Sequence, residues 1–387
     1  MALLYRYNGT SWVRRGHDSS QVDRDDLVGG TYIPNASTTG PVGELIDMYA
    51  SAGATLTTSK GLGVGYVTLP AGTYENMRIW AQVRWSGDVT LRNCEVVGPD
   101  PSTQTGPGMY GLLRNFNATS SHATLIDCRI TATPWNTHSA GRPLSPGEVR
   151  TYNPLNAGLH GGNASLIRCE ITGVQDGINY VQNGWVVGGS DSQCLIDQCW
   201  IHGLPYENDW TGSGAPSNQQ SHNDCFQVNN GKNITIRHSM LGGWREQAGY
   251  DPWPGGANTG DDAFSSIVQL QQEVDDTAAN RIEHVLIHEN WIYGGQYGIG
   301  MIWKSTRPSQ DFSTFTVTDN KFIERPADIR WGPSLGDPFI ANPGSRNGNY
   351  FNKSPNAVPV LSGNVVVSPD NPLVSLGPVT ISNGGNQ

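Results

Sequence analysis

Carboxylate side chains gather in the middle of this 387-residue chain, close to a histidine. His222 and Asp224 lie in the sequence HND, and Asp261 and Asp262 lie in GDD. Two acids at a defined separation can hydrolyse a glycosidic bond, and a base beside a neutralised carboxylate can eliminate across one. The candidate catalytic residues for either chemistry are His222, Asp224, Asp209, Asp261 and Asp262. The alternative is that Asp224 only forms a turn before a strand, because Asp176 holds the same place in DGINYV.

Aromatic residues are interleaved with amides, carboxylates and glycines in three long segments, 131–156, 202–223 and 242–264. Sugar binding uses a flat apolar ring face together with directional hydrogen-bond partners, which this mixture provides. Any single ring could instead pin its own loop against the core, but the set as a whole favours ligand contact. The predicted glycan-binding residues are Trp135, His138, Tyr152, Tyr206, Trp210, Trp244, Tyr250 and Trp253.

Metal and cofactor motifs are weak or missing in the sequence. The six cysteines form no CxxC pair and no Cys/His zinc spacing. The acidic pairs in GDD and VDD could hold Ca²⁺, although neither has the spacing of an EF-hand loop. We therefore expect no cofactor and assign no metal site.

Composition and charge exclude several classes of partner. The net charge of −10 argues against nucleic acid, since affinity for phosphate backbones rests on clustered Lys and Arg. No run of about 18 apolar residues is present, so no membrane insertion is expected. The first residues, MALLYRYNGTSWVRRGHDSS, lack a basic region followed by an apolar one, which predicts folding in the cytoplasm without signal-peptide export.

The elements that must position the candidate site residues follow a row repeated eight times, written a-x-b-x-x-c-x-d. Examples are VTLRNCEV from residue 89 and ITIRHSML from residue 234. Position b is occupied by Leu91, Leu125, Leu166, Ile196, Ile236, Ile287, Val317 and Leu361. Position d is occupied by Val96, Ile130, Ile171, Ile201, Leu241, Ile292, Phe322 and Val366.

The step from b to c is three residues, which breaks the alternation of a strand. Side chains alternate between the two faces of a strand, so both halves of the row stay buried only if the backbone turns a corner between them. The residue before c is often Asn, Asp or Gly, which tolerate left-handed backbone, whereas Arg168, Gln198, His238 and Glu289 fit less well. Position c carries Cys, Ser or Asn, so we expect an inward ladder of small or amide side chains with free thiols.

These rows predict an all-β fold. Copies of two short strands meeting at a corner, 30 to 51 residues apart, are typical of a parallel β-helix solenoid. Stacking at about 4.8 Å per coil gives a rod of roughly 40 Å. A third strand is visible in DGINYV, DCFQVN, SSIVQLQ and YGIGMIW, and GYVTLPAGTYENMRIW is predicted to be the first coil.

The two ends differ from the repeats. LLYRYNGTSWVRR predicts a β-hairpin with a two-residue turn at Asn8 and Gly9, followed by a polar linker. GELIDMYASAG is predicted to be a short helix that covers the first coil, because solenoid ends need caps. The predicted organisation is an N-terminal hairpin and linker at 1–40, the β-helix at 41–370 and a C-terminal cap or tail at 371–387.

The eight TLxxCxI-type rows between residues 89 and 366 resemble the pectin-lyase-like family of right-handed parallel β-helices. Together with YRYNGTSWV and YIPNASTTG at the N-terminus, they resemble minor tail or receptor-binding proteins of tailed bacteriophages, particularly those that infect actinobacteria. The resemblance implies a virion protein at the phage tail tip. It also implies that residues 1–40 attach to other tail proteins, and that the β-helix, as a homotrimer, meets a host cell-surface or cell-wall polysaccharide.

The resemblance does not carry catalytic residues over. The sequence lacks the polygalacturonase order of Asn-Thr-Asp, Asp-Asp, Gly-His-Gly and Arg-x-Lys, since GLHGG at His160 precedes both HND and GDD. The first hypothesis is therefore a polysaccharide-binding adhesin. The alternatives are a polysaccharide depolymerase, either hydrolase or lyase, on the same fold, and a structural spike without a ligand.

Overall fold

The computed structural model describes the chain in separate ranges. These are 4–7, 12–15, 33–51, 53–59, 65–98, 111–115, 121–131, 157–174, 176–181, 193–204, 224–242, 266–272, 281–293, 297–302, 312–323, 359–367 and 374–378. Within them the structure contains strands and turns and no α-helix. The prediction of an all-β fold is confirmed for these residues.

The described ranges contain thirty strands, which follow one another in sequence. In order they are β1 (Leu4–Tyr7), β2 (Trp12–Arg15), β3 (Ile46–Ala50), β4 (Leu56–Thr57), β5 (Tyr66–Leu69), β6 (Gly72–Glu75), β7 (Met77–Trp80), β8 (Gln82–Trp85), β9 (Val89–Arg92), β10 (Glu95–Val97), β11 (Gly111–Asn115), β12 (Ala123–Ile126), β13 (Arg129–Thr131), β14 (Ala157–His160), β15 (Ala164–Ile167), β16 (Glu170–Thr172), β17 (Asp176–Val181), β18 (Cys194–Asp197), β19 (Trp200–Ile201), β20 (Phe226–Arg237), β21 (Met240–Gly242), β22 (Ser266–Gln271), β23 (Ile282–His288), β24 (Trp291–Tyr293), β25 (Tyr297–Ile302), β26 (Phe315–Thr318), β27 (Lys321–Ile323), β28 (Val360–Ser362), β29 (Val365–Val367) and β30 (Ser375–Pro378).

Parallel pairing sorts most of these strands into three sheets. Sheet A contains β6, β9, β12, β15, β18, β20, β23, β26 and β28, and sheet B contains β3, β7, β10, β13, β16, β19, β21, β24, β27 and β29. Sheet C contains β5, β8, β11, β14, β17, β20, β22 and β25. The chain passes from A to B to C and back to A, and we call each such passage a coil. Coils are numbered from 1 to 9 by their sheet A strand.

Strand β20 belongs to two sheets, and the polar residues NNGKN at 229–233 lie inside it. Its first part pairs with β17 and β22 in sheet C, and its second part, from Ile234, pairs with β18 in sheet A. Gly231, with φ of 136°, lies between the two parts. The sheet C strand of coil 5 and the sheet A strand of coil 6 are therefore continuous, with no long connection between them.

The predicted b column is confirmed by the sheet A register. Leu91 pairs with Leu125, Leu125 with Leu166, and the column continues without a shift to Leu361. From Leu91 to Val317 these side chains are at most 1% exposed. The d column is confirmed in the same way in sheet B. Each such aliphatic side chain contributes about 2 kcal/mol by leaving water, so the two columns form the main core.

Every predicted corner has left-handed backbone. Asn93, Asp127, Arg168, Gln198, His238, Glu289, Asp319 and Gly363 all have φ between 50° and 67°, and Asn76 repeats the geometry in coil 1. A non-glycine residue pays about 1–2 kcal/mol for this conformation. The corner amides are bonded between coils, as in Asn93 N to Ile126 O at 2.9 Å, so stacking of neighbouring coils offsets the cost even where the residue type is unfavourable.

The side chains at position c point inward and stack from coil to coil, with thiols in the earlier coils and amides in the later ones. Asn290 Nδ2 donates to Asn320 Oδ1 at 3.0 Å, and Asn320 Nδ2 donates to Asn364 Oδ1 at 2.9 Å. In the earlier coils the thiol of Cys199 donates to Leu166 O at 3.4 Å. All six cysteines are buried and free, as predicted. Burial raises the pKa of Cys194, so this thiol stays protonated.

The structure corrects two predictions at the ends. Residues 46–50 form strand β3, which extends sheet B beside β7, and the predicted helix is wrong. A strand satisfies the open backbone groups of the sheet edge, as in Ile46 N to Asn76 O at 2.9 Å, and a helix could not. The N-terminal hairpin is confirmed, but Tyr7 pairs with Trp12, whereas a two-residue turn at Asn8 and Gly9 would pair Tyr7 with Thr10, so the predicted turn position is wrong. The register between the two strands, and not the local turn signal alone, decides where a hairpin turns. At the other end, β30 pairs antiparallel with β29.

Candidate functional site

Most of the predicted site residues lie outside the described ranges. This holds for the whole aromatic set, Trp135, His138, Tyr152, Tyr206, Trp210, Trp244, Tyr250 and Trp253. It holds also for the catalytic candidates His222, Asp209, Asp261 and Asp262, and for the acidic pairs considered for Ca²⁺. Asp224 is the catalytic candidate that the structure describes.

The attachment points of the three aromatic-rich segments are nevertheless fixed by the strands around them. Each segment follows directly after a sheet B strand, namely β13, β19 or β21. Each returns at the next sheet C strand, namely β14, β20 or β22. Strands of neighbouring coils stack in register, so the three segments all join sheet C on the same side, where its strands begin. The turn from sheet A to sheet B, by contrast, is always short.

The outer face of sheet C carries one continuous column of residues, all of them polar except the glycine at its end. It alternates with a buried column that includes Val83, Leu113 and Ile178, so its members point away from the core. In register, the outer column is Thr68, Arg84, Arg114, His160, Asn179, Gln227, Gln269 and Gly300. None of these eight residues is acidic, although the protein as a whole has a net charge of −10.

The first part of this column is basic. The Arg84 guanidinium lies 3.8 Å from the centroid of the Tyr66 ring, and its Nε donates to Gln82 Oε1 at 2.9 Å. Arg114 and His160 follow in the next two coils. Burial lowers the pKa of His160 to about 4, and the charge of Arg114 adds to the shift. His160 is therefore neutral at neutral pH, with one ring nitrogen that donates and one that accepts.

The second part of the column is an amide ladder. Asn179 Nδ2 donates to Gln227 Oε1 at 3.1 Å, and Asn229 Nδ2 donates to Asn179 Oδ1 at 2.9 Å. The Asn229 Oδ1 atom is shielded from solvent and accepts no hydrogen bond from the part of the chain that the structure describes. Unpaired buried acceptors of this kind are rare in folded proteins, because they lose their bonds to water without gaining others.

Asp224 stacks on Asp176 where the sheet C strands of coils 5 and 4 begin. The Asp224 N–H donates to Asp176 Oδ1 at 3.2 Å, and the Asp224 side chain is 2% exposed. Burial raises the pKa of Asp176 to about 7, so part of this carboxyl group is protonated at neutral pH. The bond between the coils supports the turn-forming interpretation of both residues, and the raised pKa also suits a proton donor.

A second group of ionisable side chains lies on the opposite corner, between sheets A and B. His238 Nδ1 contacts Asp197 Oδ1 at 2.9 Å, and its Nε2 contacts Glu289 Oε2 at 3.0 Å. Hydrogen bonding to Asp197 raises the pKa of His238. These contacts join three successive coils. Among the described residues no group of three His, Cys, Asp or Glu side chains has the arrangement to hold a metal ion.

Sequence reasoning missed the outer column of sheet C. Its signal was present, because Asn179, Gln227 and Gln269 are each the fourth residue of the stretches DGINYV, DCFQVN and SIVQLQ. Arg84 and Arg114 could not be placed with them, since the strands of the early coils do not share that sequence pattern. Only the register joins the basic and the amide parts into one column.

Within the ranges that the structure describes, no helical segment has the length and apolar character that a membrane span requires. The chain was also compared with protein families, with curated proteins and with solved structures. No family model, no curated protein and no solved structure matches it. The geometry of the described residues therefore carries the functional argument.

Proposed function

We propose that this chain is a right-handed parallel β-helix adhesin of a tailed-phage virion, a minor tail protein that binds a host cell-surface polysaccharide. The binding surface is the outer face of sheet C together with the aromatic-rich segments that enter it. The N-terminal residues 1–40 attach the protein to other tail proteins, and the assembled form is a homotrimer.

The single observation that supports glycan binding most is the polar column of sheet C. Its side chains repeat at the spacing of stacked strands, about 4.8 Å, which is close to the length of one sugar unit in an extended chain. Neutral donors and acceptors such as His160, Asn179 and Gln227 suit hydroxyl groups, which both donate and accept. The three segments tied to this edge carry the eight predicted aromatic residues, which would supply ring faces for stacking.

The test is a binding assay of the full chain on polysaccharides prepared from actinobacterial cell walls. The variants Asn179→Ala and Gln227→Ala should each weaken binding about tenfold, as expected for the loss of one or two hydrogen bonds. Thr235→Ala is the matched control, because Thr235 lies on the outer face of sheet A, away from the column. Unchanged binding by both sheet C variants would refute the proposed surface.

The aromatic residues need a separate experiment. If the chain is only a structural spike, replacing Trp210 and Trp253 by Ala leaves adsorption to host cells unchanged. The adhesin predicts a clear loss of adsorption for the double variant, with the sheet C column intact.

A depolymerase is the second candidate function, and the raised pKa of Asp176 beside Asp224 is the observation that favours it. An enzyme would release new reducing ends or unsaturated products from the polysaccharide, and Asp224→Ala would abolish the release. Binding without any release would leave the adhesin as the better proposal.

A further inference from the structure

Residues 33–43, which we call the strap, run along the outside of the coils from the last coils to the first ones. Ile33 packs against the apolar cluster of Trp291, Ile323 and Val367, which belong to coils 7, 8 and 9. Further on, Gly40 N donates to Arg168 O of coil 4 at 3.0 Å. The strap thus begins beside the last coils and continues toward the first ones.

The C-terminal end of the strap contacts the first coils. Val42 N donates to Asn93 Oδ1 of coil 2 at 2.7 Å, and Asn93 Nδ2 donates back to Val42 O at 2.9 Å. Strand β3 follows directly and pairs with β7 of coil 1. The chain therefore crosses the length of the sheet before its first coil begins.

The fit of the strap on sheet B is close in its middle part. Thr38 is 6% exposed and Thr39 is 1% exposed. Gly40 has φ of +76°, and a Cβ atom placed there would lie 3.2 Å from Glu170 Oε2. A residue with a side chain would be strained at this point and would press on the carboxylate, so glycine lets the backbone approach.

The apolar patch that contacts Ile33 is formed by residues of the last three coils. Trp291 is 2% exposed on the outer face of sheet B, and the Lys321 ammonium lies 4.1 Å from its ring centroid. Val367 is 2% exposed and belongs to the last parallel strand, β29. The apolar patch that holds Ile33 is therefore incomplete until coils 7, 8 and 9 have formed.

We propose that the strap couples the N-terminal segment to the completion of coil winding. Ile33 is the docking residue, and the patch of Trp291, Ile323 and Val367 is its receptor within the same chain. A chain that has not wound its last coils cannot hold residues 33–39. In the finished protein, whatever residues 1–32 bind is tethered at the end of the coils where β29 and β30 lie.

The experiment is hydrogen exchange of the full chain, read by mass spectrometry, for the wild type and two variants. Ile33→Ser removes the docking side chain without changing any coil, and Trp291→Ser removes part of the receptor. Both should raise exchange of the strap amides, including Gly40, at least tenfold.

Ile46→Ser is the matched control, because Ile46 lies just downstream of the strap and is 58% exposed. It should leave exchange in the strap unchanged. Exchange of Leu125 and Ile126 in coil 3 reports whether the coils remain intact.

A strap that stays protected in Ile33→Ser would overturn the proposal, and so would equal release in Ile46→Ser. If Trp291→Ser also unfolds coil 3, Ile33→Ser decides the question alone. If Ile33→Ser opens the strap while Trp291→Ser leaves it closed, the last coils are not its receptor and the coupling is wrong.

Discussion

Replacing Asn320 by Ala removes the centre of the amide ladder. The Asn320 side chain accepts from Asn290 N and from Asn290 Nδ2, both at 3.0 Å. Its two amide hydrogens point to Asn364 Oδ1 and to Ile287 O, both at 2.9 Å, and one of them is shared with Thr318 O at 3.1 Å. The residue is fully buried, so water cannot replace these partners without entering the core.

The cost follows from the partners that are left behind. Two of them keep another bond, since Asn290 Nδ2 also donates to Ile236 O and Asn364 Oδ1 also accepts from Asn320 N. The Asn290 N–H loses its acceptor in a buried place, which costs about 2 kcal/mol, and each of the three other lost bonds costs about 1 kcal/mol. We expect Asn320→Ala to destabilise coils 7 to 9 by about 5 kcal/mol.

Native-state hydrogen exchange is the suitable assay, because stability in a stacked array is a sum of local and neighbour terms. The amides of Asn290 and Val365 should lose most of their protection, while those in β12 change little. Asn320→Cys is the control, since Cys199 accepts from Cys169 N at 3.4 Å in the same position of its own coil. It should recover about half of the loss. A loss below about 1 kcal/mol for the alanine variant would refute the reasoning, because it would mean that the ladder bonds add nothing to stacking.

Three further predictions concern other parts of the coils. The pKa of His238 is raised by its hydrogen bond to Asp197, so the stability that it contributes is fully present below about pH 6.5 and is lost as pH rises through the raised value. Urea unfolding from pH 5 to pH 9 should show this loss in the wild type, and His238→Gln should flatten it. Gly177→Ala should destabilise coil 4 by at least about 2 kcal/mol, because a Cβ atom there would collide with a carbonyl oxygen of the next coil. Unchanged hydrogen-exchange protection of the coil 4 amides would contradict this. Gln198→Asn should raise stability by about 0.5 kcal/mol, because Asn tolerates left-handed backbone better than Gln; a drop in the urea midpoint would count against it.

The core was predictable because its signal is local. The spacing within each row places Leu125 and Ile130 on the inside of a corner, and no information from another coil is needed to see it. The corner conformation followed from the same phase break. It held even at Arg168 and His238, where the residue type alone argued against it.

The ends and the surface were less predictable because they depend on partners far away in sequence. The apolar positions of residues 46–50 fit a short helix or a strand equally well, and the open edge of β7 decided for the strand. The strap has the polar, Thr-rich and Gly-containing composition of a linker. Its contacts with Trp291 and Asn93 exist only once both ends of the sheet are built.

The sequence by itself therefore determined the repeating coil, its corners, its buried columns and its free thiols. All of these depend on residues within one row and on the alternation of side chains along a strand. The tertiary structure alone decided which polar residues share the outer face of sheet C and where the strap docks. Those relations are set by the register between coils, and the register depends on the variable lengths of chain between rows, which no local pattern encodes.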